Sequence, residues 1–183
     1  MAASDYVFRS TWRVRGTLDE VRSIIADGGD YPRWWPSFCL AARELEPGDE
    51  RGVGRRVEVW AKGWLPYTLR WTYRTLEPPA EDQARVEVRG ELDGEGTWTF
   101  RQEGAEVVAE LLWAVSARKR SIRALSRLLK PVFASNHYWC MRRGERSLQL
   151  ELARRHASSD AERAAVPAPP GPAWPLRRPK VPA

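Results

Sequence analysis

Outside residues 16–37, hydrophobic residues in this chain recur at every second position up to Ala117, and at every third or fourth position after it. The first rhythm is that of strands with one wet face. Tyr6, Phe8, Trp12 and Val14 alternate with Arg9, Thr11, Arg13 and Arg15; Tyr67, Leu69, Trp71 and Tyr73 alternate with Thr68, Arg70, Thr72 and Arg74. Val86 and Val88, then Trp98 and Phe100, continue the pattern. Turn signals at Pro47-Gly48-Asp49, Gly63-Trp64-Leu65-Pro66, Pro78-Pro79, Asp93-Gly94 and Glu103-Gly104 separate the runs. The spacing predicts strands over about 6–15, 38–46, 53–62, 66–77, 84–92, 96–102 and 106–117.

Thr17 followed by Glu20 has capping-box spacing, and Val21, Ile24 and Ile25 recur at helical intervals before Gly28-Gly29. A short helix over about 18–27 follows. The block from Asp30 to Ser37 holds a Trp pair between two prolines, with room for one helical turn. Beyond Ala117, Ile122, Leu125, Leu129, Phe133, Cys140, Met141, Leu148 and Leu152 mark one long helix reaching the 150s. Pro131 lies inside it and is expected to bend it. Residues 157–183 hold seven of the fourteen prolines, with little apolar periodicity, and are expected to form a disordered tail outside a 5–156 domain.

At 183 residues the chain is long enough for one core without a disulfide framework or a structural metal. Cys39 and Cys140 match no zinc pattern, and His137 and His156 cannot assemble a multi-histidine site, so neither metal nor cofactor is expected. No apolar run is long enough to span a bilayer, and Met1 to Asp5 have no signal-peptide character. The reading is a soluble, cytoplasmic protein. Charge is uneven: residues 1–117 hold 15 basic and 20 acidic side chains, residues 118–156 hold 11 and 2. The basic helix, with Arg118, Lys119, Arg120, Arg123 and Arg127, reads first as a solvated face. Binding of nucleic acid or an anionic membrane surface is the competing reading, in which membrane contact is preferred to nucleic acid.

One strand, one or two short helices, six antiparallel strands and a long helix make an α+β domain. The sheet's apolar face needs a cover, and only the terminal helix is long enough. This order, with the Asp30-Tyr-Pro-Arg-Trp-Trp-Pro36 block, the Lys62-Gly-Trp-Leu-Pro-Tyr67 turn and the Asn136-His-Tyr-Trp-Cys-Met141 segment, resembles the START-like superfamily of polyketide cyclases and lipid carriers, over about residues 5–155. The resemblance implies a helix-grip fold: a curved seven-stranded antiparallel sheet wrapped around the long helix, with a cavity between them. Carriers, hormone receptors and aromatase/cyclases share that fold.

The chain has ten tryptophans. Alternation turns Trp12, Trp71 and Trp98 inward, and Trp113 with them if Leu111 and Val115 face in. For any one ring, core filling is the simpler reading; for the set, large rings with N–H groups fit a cavity for a small, largely apolar ligand. Tyr67 and Tyr73 face the same way. On the helix, Phe133, His137 and Met141 share the apolar stripe, with Asn136 at its edge. Asn136 is placed to bond a strand or loop, or to reach a ligand. Trp35 and Trp64 lie on segments suited to a cavity mouth, while Trp34 reads as a hydrophobic plug.

His137 has two readings. It either bonds a neighbouring strand or acts as acid/base in an aromatase/cyclase-like reaction, with Tyr67 or Tyr73 as a second donor. No acidic residue at helical spacing orients it, which favours the first. The sequence therefore points first to a carrier or sensor of a small apolar molecule, then to a cyclase-like enzyme, then to a basic surface module.

Overall fold

The first strand pairs with the last. β1 (Asp5–Arg15) runs antiparallel to β7 (Glu106–Ala117) from Asp5 opposite Ser116 to Arg15 opposite Glu106. Between them the chain adds β2 (Cys39–Glu46), β3 (Arg56–Ala61), β4 (Leu69–Leu76), β5 (Gln83–Gly90) and β6 (Leu92–Glu103). The spatial order is β1-β7-β6-β5-β4-β3-β2, with every neighbouring pair antiparallel. The computed structural model describes residues 5–77, 80–118 and 120–174; the side chains of residues 5 and 120–129 lie outside that description.

Only one connection must cross the sheet, from β1 at one edge to β2 at the other. It carries α1 (Leu18–Ala26), a 3-10 turn (Gly28–Asp30) and α2 (Tyr31–Trp34). α1 starts at the predicted capping box: Thr17 Oγ1 accepts from the Glu20 amide, and the Glu20 carboxylate accepts from the Thr17 amide at 2.9 Å. These bonds and His156 at 2.8 Å hold the Glu20 carboxyl down at about 2. The same His156 contact ties the start of α1 to the end of the long helix α3 (Arg120–His156), which runs without interruption through Pro131.

Alternation places the inner face as the sequence predicts. Cross-strand pairing sets Tyr6 beside Val115, Phe8 beside Trp113, Ser10 beside Leu111 and Trp12 beside Ala109. Strand boundaries differ where glycines serve another purpose. The β5–β6 hairpin turns at Gly90-Glu91, not at Asp93-Gly94, and Asp93 instead accepts from the Gly90 amide at 3.0 Å. Gly94 and Gly96 lie inside β6 because the inner face has no room there. A Cβ on Gly94 would stand 2.1 Å from the Ala114 carbonyl oxygen, and one on Gly96 2.6 Å from the Trp113 ring. β3 starts late, at Arg56, since Gly52 and Gly54 take left-handed turn conformations at φ +76 and +84. β4 likewise starts at Leu69, after the turn that follows Gly63.

The largest buried cluster lies under the C-terminal half of α3. Trp12, Trp34, Ile24, Phe100, Leu148 and Leu152 are all fully buried there, where α1, α2 and α3 meet β1 and β6. Trp34 is thus the plug that its proline-bounded segment suggested. Gly144 lets α3 come this close: a Cβ on it would lie 2.4 Å from Trp35 and 2.6 Å from Trp12. Beside the core, buried Glu151 accepts two bonds from Arg33 at 2.7 Å each and one from Arg155 at 3.0 Å, fastening α2 to α3. Glu151→Ala is expected to cost about 1–3 kcal/mol in a urea titration, less than breaking a fully buried pair, because Arg33 keeps half its side chain in water. A change within about 0.3 kcal/mol would show that this fastening contributes nothing.

Ile122, Leu125 and Leu129, like Lys119, Arg120, Arg123 and Arg127, have side chains outside the described residues; Arg118 pairs with Asp93 at 3.2 Å. The sequence gives residues 157–183 no structure. Their described part, 157–174, holds the short helix α4 (Asp160–Ala165), capped by Ser159, and returns to the domain. Arg154 donates to the Pro167 carbonyl, and the Trp174 indole donates to the Trp64 carbonyl at 2.8 Å. No described helix is long and apolar enough to cross a membrane.

Candidate functional site

Toward the N-terminal half of α3 the helix and the sheet part, leaving a cavity of about 230 Å³. Its floor is the inner face of the sheet, with Trp71 and Tyr73 from β4, Trp98 from β6 and Trp113 from β7. Its roof is one stripe of α3: Phe133, Asn136, His137, Cys140 and Met141. Trp35 and Phe38 stand at one side, packed ring to ring at 4.5 Å. Tyr6, Phe8 and Tyr67 border it elsewhere, and Phe133 meets Tyr6 and Tyr67 edge-on at 6.0 and 6.4 Å.

Ten of the eleven residues singled out in the sequence border this space; Trp64 does not. Trp64 sits on the turn outside, where its carbonyl receives Trp174. Asn136 reaches the same turn: its Oδ1 accepts from the Leu65 amide at 3.1 Å, and a Cβ on Gly63 would lie 2.1 Å from that oxygen. The turn carries glycine at 63 because Asn136 occupies the volume a side chain would need.

His137 stacks on Phe8 with centroids 4.3 Å apart and rings 14° from parallel, and its Nε2 lies 3.2 Å from Ser10 Oγ. Tyr138 meets it edge-on at 5.4 Å. No carboxylate bonds this ring among the described residues, and burial holds its pKa down at about 4. The imidazole is therefore neutral near pH 7 and a weaker base than a free one. Burial pushes the Tyr67 and Tyr73 hydroxyls up to about 12, so both remain donors. The Tyr73 hydroxyl lies against the backbone of Gly28, where a Cβ would come within 2.1 Å of it. Trp35 Nε1 is buried with no hydrogen-bond partner among the described residues.

Sequence reading missed Lys62. Strand alternation turns it outward, but β3 ends at Ala61, and in the bend before Gly63 the rule no longer applies. Lys62 is 5 % exposed and borders the cavity; its amide donates to the Phe38 carbonyl at 2.8 Å. Arg85 also borders the space but pairs with Glu95 at 2.7 Å. Among the described lining residues there is no Asp or Glu.

No protein-family model and no curated protein sequence matches the chain. Solved structures do. An aromatase/cyclase from a Streptomyces species superposes with a TM-score of 0.62 at 17% identity, covering 85% of this chain and 98% of that one. A START superfamily protein from Mycobacterium smegmatis gives 0.60 at 15%, covering 79% and 98%. The fold is the START-like helix-grip. A STAR-related lipid transfer protein from Xanthomonas axonopodis shares this helix-grip, with a TM-score of 0.56 at 16% identity over 80% of this chain and 85% of that one. At such identities the likeness is one of fold, and the helix-grip alone does not assign chemistry.

Proposed function

We propose that the chain binds a small, largely apolar ligand in the cavity between the sheet and α3, as a carrier or sensor. The observation that carries this reading is the cavity itself: about 230 Å³ bordered by four indoles and few polar groups, where a well-packed core would be filled. An apolar hollow of about 150 Å³ admits a benzene ring, so this one suits a ligand of about two fused rings or a short branched chain. Tyr67, Trp71, Trp98, Trp113, Phe133 and Met141 would supply the apolar contact. Trp35, with its unpaired indole N–H, and His137 would supply polar ones.

Native mass spectrometry of protein purified from its own host tests this directly. The expected result is a copurifying apolar compound, absent from an Ala61→Trp variant whose new ring fills the space beside β3. An empty protein that also takes up nothing from a panel of one- and two-ring aromatics and short lipids overturns the reading.

A cyclase-like reaction suits the same space less well. It needs a base, and His137 is held neutral at about 4 among rings and the Ser10 hydroxyl, with no carboxylate to orient it. His137→Ala separates the two: wild-type turnover of a polyketone that the variant loses by far more than it loses ligand affinity would favour the enzyme, and no turnover by the wild type leaves the carrier.

A further inference from the structure

Lys62 is the one described cation on the cavity wall without an acidic partner. The residue is 5 % exposed, and its ammonium makes no hydrogen bond or ion pair with any described residue. The second cation on the wall, Arg85, is satisfied by Glu95. Charged side chains elsewhere that are as deeply buried are paired: Glu58 bonds Arg43 and Arg70, and Glu151 bonds Arg33 and Arg155. The stem is enclosed while the ammonium keeps some accessible surface, so it has lost part of its hydration, and an anion there would replace that part. Desolvation accordingly lowers the Lys62 pKa from its ordinary value.

The placement of Lys62 is fixed on both sides. Its amide bonds the Phe38 carbonyl across to the start of β2, and its carbonyl lies 3.9 Å from Cys140 Sγ on α3. The next residue, Gly63, is packed against Asn136. The backbone of Lys62 is therefore held where sheet edge and helix roof meet, at a corner of the cavity.

We propose that the ligand is an apolar molecule carrying an anionic oxygen, a carboxylate or its equivalent, which Lys62 pairs while the aromatic walls hold the rest. This rests on the apolar-ligand reading above and narrows it to one class. An anion entering this corner comes within reach of the Lys62 side chain and meets no repelling carboxylate among the described residues, so charge recognition and ring burial add within one site.

Isothermal calorimetry with naphthoic acid and naphthalenemethanol, matched in shape and differing in charge, tests it at neutral pH. The wild-type protein is expected to bind the acid about tenfold or more tighter than the alcohol. Lys62→Met, which keeps the stem and removes the charge, is expected to abolish that preference, leave alcohol binding within about twofold, and melt no lower than wild type. Alcohol binding with no preference for the acid overturns this inference alone. An acid preference that survives in Lys62→Met assigns the anion to another group and also overturns it. If neither compound binds, and the wider panel fails as well, the ligand-binding reading itself falls.

Discussion

Gly144→Ala is expected to destabilise the protein by about 2–3 kcal/mol, although the same change in an exposed helix is worth about 1 kcal/mol in the opposite direction. The added methyl would lie 2.4 Å from one indole and 2.6 Å from another, both far inside ordinary contact distance. Trp12 and Trp35 already meet at 5.2 Å, and each packs against a further ring, Trp98 and Trp34 respectively. α3 must therefore rise off the sheet or an indole must leave its rotamer. A urea titration reads the loss as a lower midpoint at unchanged slope. Trp35→Leu, which opens room beside the new methyl, is expected to make Gly144→Ala milder by at least about 1 kcal/mol in a double-mutant cycle. Stability equal to or above wild type in Gly144→Ala alone would show that helix and sheet do not approach as described.

Acid sensitivity is the second large effect, and it belongs to His137. In the folded chain burial holds its pKa at about 4, against an ordinary value of 6.5. Between these values the unfolded chain binds a proton that the folded one does not. Stability from this group is thus complete above pH 6.5 and is lost as pH falls through about 4. A difference of that size is worth about 3 kcal/mol across the window. His137→Phe, which keeps the stack on Phe8, is expected to lose about 3 kcal/mol less than wild type between pH 7 and pH 4. Parallel pH profiles for the two proteins would show that this ring is solvated. Glu20, held at about 2 against an ordinary 4.5, begins its own loss below about pH 4.5 in both proteins alike, so it cancels in the comparison.

Periodicity was enough to place the sheet, its inner face, the capped α1 and the long α3, because a half-buried strand and an amphipathic helix each write their burial into residue spacing. Most of the cavity wall was legible for the same reason: Trp71, Trp98 and Trp113 point inward by parity, and Phe133, His137 and Met141 by helical angle. What was not legible depends on contacts between distant segments. Asp93-Gly94 has the composition of a turn, yet Gly94 is required by the Ala114 carbonyl on the neighbouring strand. Lys62 takes its place from a bend that suspends strand parity, and nothing in its neighbours in sequence says that no carboxylate will be near. The return of Trp174 to the Trp64 carbonyl is likewise a long-range bond between two segments of low periodicity.

The four indoles on the cavity wall, Trp35, Trp71, Trp98 and Trp113, have a practical consequence. They are four of the chain's ten tryptophans, so a large share of its intrinsic fluorescence originates beside the space an occupant would enter. Any guest that displaces water, quenches a ring or absorbs in the near ultraviolet alters the emission directly. The protein is its own optical sensor, and candidate compounds can be titrated against it without a label.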